Sequence, residues 1–225
     1  MTPCIPDCQS YKLKYLTGIL LFSLLDLFLV QSTMCQEKIR STGLGFSYGM
    51  GSQQVFPFMS KDYNYNTKNI KLLFNYPIRK GKIALDLRIE PSIFLAKHQL
   101  LNEYFVQPEY GPDYLYLREV YIRQKTITEY ALNIGLQLSI NPEGRFSWFI
   151  MASTGPMYTD TATERLAKGF AFSDIFGFGM QYKTEHLVFE IRPGLRHVSN
   201  LDLQFPNCGH NSTAIDFGIL FPVFH

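Results

Sequence analysis

His197 and Ser199 stand two residues apart in Gly194-Leu-Arg-His-Val-Ser-Asn200. That spacing puts both side chains on one face of a strand. Serine becomes a nucleophile when an imidazole takes its proton, and the imidazole works best when a third group fixes its tautomer. Side chains two apart on a strand are about 7 Å apart, so the pair meets where a strand twists near its end. Read backwards, the same face carries Leu195, Pro193, Ile191, Phe189 and Leu187. A histidine and a serine at the tip of an apolar stripe suit a surface that faces lipid better than a protein core.

The third group is expected from the following strand. Asn211 shares its parity with Thr213, Ile215 and Phe217, the greasy side. Asp216 falls on the opposite face, with Glu190 and Arg192, so its expected role is to pair with arginines there. An asparagine orients the histidine in Cys-His-Asn enzymes, although it stabilises an imidazolium less than a carboxylate does. Pro206-Asn-Cys-Gly209 is turn chemistry in its own right.

The elements that must position these residues alternate in hydropathy. Strands are predicted over 42–50, 70–78, 82–95, 130–140, 146–158, 172–182, 186–199 and 211–223. Ile83, Leu85, Leu87 and Ile89 oppose Ala84, Asp86, Arg88 and Glu90. Tyr130, Leu132, Ile134, Leu136, Leu138 and Ile140 oppose Ala131, Asn133, Gly135, Gln137 and Ser139. A soluble sandwich turns the apolar face inward, whereas a membrane barrel turns it outward around a polar, charge-paired lumen. Periodicity does not separate the two. Segments of about 10–13 residues exceed the modal soluble strand and match a tilted membrane strand. Short turns at 79–81, 141–145 and 183–185 alternate with longer connections at 51–69, 96–129, 159–171 and 200–210, the habit of outer-membrane barrels. The expected fold is therefore all-β: an eight-stranded antiparallel transmembrane β-barrel. The alternating stretch 113–123 is left open as a strand extension, a loop strand or a helix.

Composition bounds the function classes. Lys+Arg of 21 against Asp+Glu of 19 leaves +2, which lacks the basic excess of a nucleic-acid protein. Aromatics reach 15% at a mean hydropathy near zero, as in a β-protein with one wet and one greasy face. Lys12 and Lys14 precede the apolar run 16–30 and a polar segment follows, so residues 1–35 read as a signal peptide and 36–225 as one barrel domain. Of four cysteines, Cys4 and Cys8 lie ahead of that run, leaving Cys208 with Cys35 at the cleavage region. No metal spacing and no disulfide framework follows from this. His98, His186 and His225 have no ligand-spaced partners, and Trp148 with the strand tyrosines reads as a membrane-interface anchor.

The segment His197-Val-Ser-Asn200 with Pro206-Asn-Cys-Gly-His-Asn-Ser212, inside an exported eight-strand pattern, resembles the lipid A 3-O-deacylase family (PagL-type, acyloxyacyl-hydrolase-like). The resemblance is specific over 194–212. It implies an outer-membrane barrel of a Gram-negative bacterium that hydrolyses an acyl ester of lipid A with a His-Ser-Glu triad on its outer surface. It implies His197 as general base, Ser199 as nucleophile, Asn207 as an oxyanion donor and Asn200 as a supporting polar residue. The family's glutamate matches Asn211, and a backbone oxyanion donor falls near Asp202, where the family pattern has glycine. The implied partner is lipid A, lipopolysaccharide or another outer-membrane lipid, with no nucleic acid, no cofactor and no metal, and a homodimer left open. The competing reading is a non-catalytic barrel with a structural or ligand-binding role.

Overall fold

The structure is a computed structural model that describes residues 42–223. The expected signal peptide, with Cys4, Cys8 and Cys35, and His225 lie outside the described residues. Eight antiparallel strands follow in chain order: β1 (Thr42–Ser52), β2 (Tyr63–Arg79), β3 (Ile83–Leu100), β4 (Lys125–Ile140), β5 (Phe146–Thr159), β6 (Gly169–Lys183), β7 (Val188–Ser199) and β8 (His210–Val223). Each pairs with its neighbours, and β1 pairs with β8 from Thr42↔Val223 to Ser52↔Thr213, which closes the sheet into a barrel. No helix among the described residues is long and apolar enough to cross a membrane, which says nothing about crossing by strands.

Alternation decides what faces where. Leu44, Phe46, Tyr48 and Met50 of β1 are exposed, as are Ile70, Leu72 and Phe74 of β2 and Trp148 and Ile150 of β5. The opposite parity is buried and charged. Arg88 donates to Glu190 and Glu90 at 3.0 Å. Arg192 reaches Glu90 at 2.7 Å and Asp216 at 2.9 Å, and Lys71 reaches Asp216 at 2.7 Å. Arg196 pairs with Glu129 at 2.7 Å. An eight-stranded barrel has an interior just wide enough for side chains to fill, and here ion pairs fill it. Removing one partner of such a pair leaves a buried charge uncompensated, at a cost of about 3–5 kcal/mol.

The expected transmembrane barrel needs correcting in its dimensions. The strands are 11 to 18 residues long rather than 10 to 13. At about 3.3 Å per residue and a tilt near 40°, β3 rises about 45 Å against a hydrocarbon core of about 30 Å. The excess lies at the end with the long connections. The stretch 51–69 is half strand, because β2 already begins at Tyr63. The stretch 96–129 divides into the end of β3, the start of β4 and a connection from 101 to 124. Within that connection, residues 113–123 give a helix, α1 (Tyr114–Ile122), rather than a strand. Its Tyr121 packs with Leu100, Phe105 and Val106 in a small apolar cluster that covers this end.

Candidate functional site

β7 ends at Ser199 and β8 begins at His210, both at the long-connection end of the barrel. Their register pairs His197 with Asn211 and Leu195 with Thr213. His197 Nδ1 lies 2.7 Å from Asn211 Oδ1. An amide oxygen only accepts, so this contact makes Nδ1 the protonated nitrogen of the neutral ring and leaves Nε2 as its base. His197 is half-buried on the outward face, and Ser199 is buried at the end of the same face.

A glycine packs against both. A Cβ added to Gly209 would stand 3.2 Å from His197 Cε1 and 3.6 Å from Ser199 Cβ. It would also stand 2.4 Å from the Val198 carbonyl oxygen, and the residue has φ of +68°. Only glycine meets both the close approach and the left-handed backbone without strain. Gly209 therefore lets the start of β8 pass against the His197–Ser199 pair.

β6 flanks the pair on its other side. Its register sets Asp174 opposite His197 and Phe172 opposite Ser199. Asp174 is half-buried and accepts the Thr154 hydroxyl at 2.6 Å. His197 thus has an amide on one neighbouring strand and a carboxylate on the other. Sequence reasoning missed Asp174, and its signal was a lone acid in the outward series Phe170, Phe172, Asp174, Phe176, Phe178.

The connection 200–209 folds on its own amides. Asn200 donates its backbone N–H to Asn207 Oδ1 at 2.8 Å and its Nδ2 to the Gln204 carbonyl at 2.8 Å. Asn207 Nδ2 donates to Asp202 Oδ1 at 2.7 Å. Leu201 and Asp202 both have positive φ, +53° and +61°. The structure thus ties Asn207 and Asn200 into the loop beside Ser199, and one Nδ2 hydrogen of Asn207 is taken by the Asp202 carboxylate. Asp202, where the resemblance implies a glycine, is an acid in a glycine-favouring conformation.

A brace from the β5–β6 connection supports the loop. The Cys208 and Gly209 N–H groups donate to the Arg165 carbonyl at 2.8 and 2.9 Å. Arg165 Nε donates to the Gly209 carbonyl at 2.8 Å, and its guanidinium lies 4.6 Å from the Tyr63 ring centre and 4.9 Å from that of Phe105. Tyr110 donates to the Glu164 carbonyl at 2.8 Å and meets Phe205 edge-on at 4.8 Å. Burial, and then the nearby Cys208, pushes the Tyr110 phenol above its ordinary range, so it remains a neutral donor. His210 points to the lumen, where it stacks on Tyr65 at 4.6 Å and contacts Thr163 Oγ1 at 3.0 Å. It is therefore no part of the outward site. Among the described residues no cluster of His, Cys, Asp and Glu is arranged to hold a metal.

A closed barrel with an ion-paired lumen, an apolar outer belt and a histidine–asparagine pair on that outer surface has the organisation of an outer-membrane barrel. The family described as "Lipid A 3-O-deacylase (PagL)" matches residues 45–219, and the chain belongs to that family. Membership places it in the outer membrane of a Gram-negative bacterium and supports a lipid-modifying hydrolase role. Among solved structures it is similar to the outer membrane enzyme PagL, with 13% identity, a TM-score of 0.53, and coverage of 80% of this chain and 99% of that one. It also matches Neisserial surface protein A (9% identity, TM-score 0.44, 83% of this chain and 100% of that one). The Yersinia pestis outer membrane protein Ail gives 12% identity, a TM-score of 0.38, and 81% and 99% coverage. No curated protein matches the chain.

Proposed function

We propose that this chain is a serine esterase that removes an ester-linked acyl chain from lipid A at the outer leaflet. The observation that carries the reading is the 2.7 Å contact between His197 Nδ1 and Asn211 Oδ1, on the outward face that ends in Ser199. The tautomer set by Asn211 leaves His197 Nε2 to take the Ser199 hydroxyl proton. Ser199 Oγ attacks the acyl carbonyl carbon and the carbonyl π pair becomes an oxyanion. The remaining Nδ2 hydrogen of Asn207 is the side-chain donor available to that oxyanion. Collapse expels the sugar oxygen, which takes the proton from His197. Water, deprotonated by His197, then attacks the acyl-enzyme, and His197 returns the proton to the departing Ser199 Oγ as the fatty acid is freed.

A negative charge beside the imidazole favours the imidazolium formed in both steps. Asn211 supplies orientation without charge, and Asp174 supplies a carboxylate at the neighbouring outward position. Lipid A would reach the site sideways from the bilayer, since the greasy face leads directly to it.

One observation favours a second reading, a non-catalytic barrel. The Asp202 carboxylate accepts from Asn207 and so places negative charge where an oxyanion would need a donor. Release of 3-hydroxy fatty acid from lipid A, compared between the parent and Ser199→Ala in the same detergent, separates the readings. The esterase reading expects release to fall by at least about 10³-fold. Equal release from both proteins supports the non-catalytic barrel.

A further inference from the structure

The outward face of the barrel is overwhelmingly apolar, and Lys68 and Lys97 break it on adjacent strands. Register shows where they stand. Thr213 of β8 pairs with Ser52 of β1, Ser52 with Asn66 of β2, Asn66 with Lys97 of β3, and Lys97 with Thr126 of β4. One pleat further from the long connections runs a second row, Ile215, Met50, Lys68 and Leu95. Thr213 is two residues from Asn211 on the same face, so both rows begin beside the site. Neighbouring strands lie about 4.8 Å apart, so Lys97 is roughly 14 Å across the surface from Thr213.

These rows floor a groove of about 780 Å³ that includes Met50, Val55, Lys68, Leu95, Lys97 and Ile215 in its lining. Thr213 Oγ1 donates to the Phe56 carbonyl at 2.8 Å, which holds the β1–β2 connection over the groove's upper edge. Both lysines are exposed, and among the described residues neither has a carboxylate at ion-pair distance. Both stand in the part of β2 and β3 that extends beyond the hydrocarbon at the long-connection end, the level at which anionic headgroups lie. Ser52 Oγ donates to Asn66 Oδ1 at 2.6 Å, which turns the Asn66 amide so that its NH₂ is free to serve the same anion as Lys97.

We propose that Lys68 and Lys97 form a phosphate-binding end to this groove, which positions the headgroup of the lipid engaged at His197 and Ser199. The apolar floor takes an acyl chain and the two ammonium groups take a headgroup phosphate about two to three strand spacings from β8. The proposal deepens the esterase reading and rests on it for the outcome at Ser199, but not for binding. The chemistry also fits a phospholipid phosphate, and the proposal commits to the glycolipid.

The test uses the folded protein in detergent micelles and lipid vesicles. On a Ser199→Ala background, binding is measured to vesicles doped with phosphorylated lipid A, with enzymatically dephosphorylated lipid A, or with phosphatidylglycerol. The Lys68→Gln, Lys97→Gln double variant is expected to lose about tenfold or more in affinity for phosphorylated lipid A. It should lose nothing for the dephosphorylated lipid, and the Lys68→Arg, Lys97→Arg variant should retain binding. With Ser199 intact, the glutamine variant should show raised KM and near-parental kcat on the phosphorylated lipid. Unchanged binding to phosphorylated lipid A, or equal losses on all three vesicles, would overturn the proposal. Absence of ester cleavage by the parent would remove the esterase reading while leaving the binding result to stand or fall alone.

Discussion

Asp174 and His197 are cross-strand partners on the outward face, joined by the β6–β7 register. The chain therefore sets an acid at the outward position across from His197 although position 211 is an asparagine. Thr154 fixes that carboxylate through a 2.6 Å hydrogen bond from its hydroxyl. The proposed mechanism then takes orientation from Asn211 on β8 and charge from Asp174 on β6. If Asp174 stabilises the imidazolium, Asp174→Asn lowers kcat by about tenfold with little change in KM, since the charge matters only once His197 is protonated. Asp174→Glu should restore most of the rate. Steady-state kinetics on lipid A in micelles decide this, and a parental kcat for Asp174→Asn would remove Asp174 from the mechanism.

Asn211 has the complementary task of holding the Nδ1–H tautomer. Asn211→Ala removes the amide oxygen that accepts that hydrogen and should lower kcat by about 10²-fold or more. Asn211→Glu restores both orientation and charge at one position and is expected to exceed the parent. The gain should be larger on the Asp174→Asn background than on the parent, because two carboxylates around one imidazole are partly redundant. Independent, additive effects in this double-mutant cycle would show that the two residues do not share a function.

The His197–Asn211 pairing was legible in the sequence because β7 and β8 are adjacent in the chain and parity alone sorts Asn211 from Asp216. Asp174 was not, since parity puts it on the outward face but only the β6–β7 register puts it opposite His197. That register follows from the closing turn, where Lys183 pairs with Val188. The upper parts of β2 and β3 were missed for another reason. Tyr63, Tyr65 and Thr67 alternate with Asn64, Asn66 and Lys68, so neither face there is plainly apolar and no amphipathic signal survives. Residues 113–123 alternate polar and apolar side chains as a strand does, yet they form α1, whose Tyr121 is buried beside Leu100 and Phe105. The ion-paired lumen was visible as a polar parity, but which arginine meets which acid depends on barrel closure.

Gly209 is a steric requirement as well as a turn. Gly209→Ala forces a methyl into the Val198 carbonyl and against the His197 ring, in a left-handed conformation that already costs a non-glycine residue about 1–2 kcal/mol. The loop 200–209 must shift to admit it. The expected outcome is a loss of at least about tenfold in kcat/KM with the barrel still folded, since β-strand pairing from Asn211 onward is untouched. Activity at the parental level, with an unaltered thermal transition, would show that the close passage of β8 is not needed.

Asp202 gives the prediction with the opposite sign. Its carboxylate accepts one Asn207 hydrogen at 2.7 Å, and its φ of +61° is one that glycine adopts freely. Asp202→Gly frees the Asn207 amide and removes a negative charge from beside the proposed oxyanion position. It also relieves backbone strain of about 1 kcal/mol, which the greater freedom of glycine in the unfolded chain largely offsets. Stability should therefore change little, while kcat rises several-fold. Asn207→Ala should instead lower kcat by about 10²-fold, the scale of one lost oxyanion donor. The Asp202→Gly gain should then vanish on the Asn207→Ala background, because it acts through that amide. A gain that persists there would assign the Asp202 effect to long-range charge rather than to the release of Asn207.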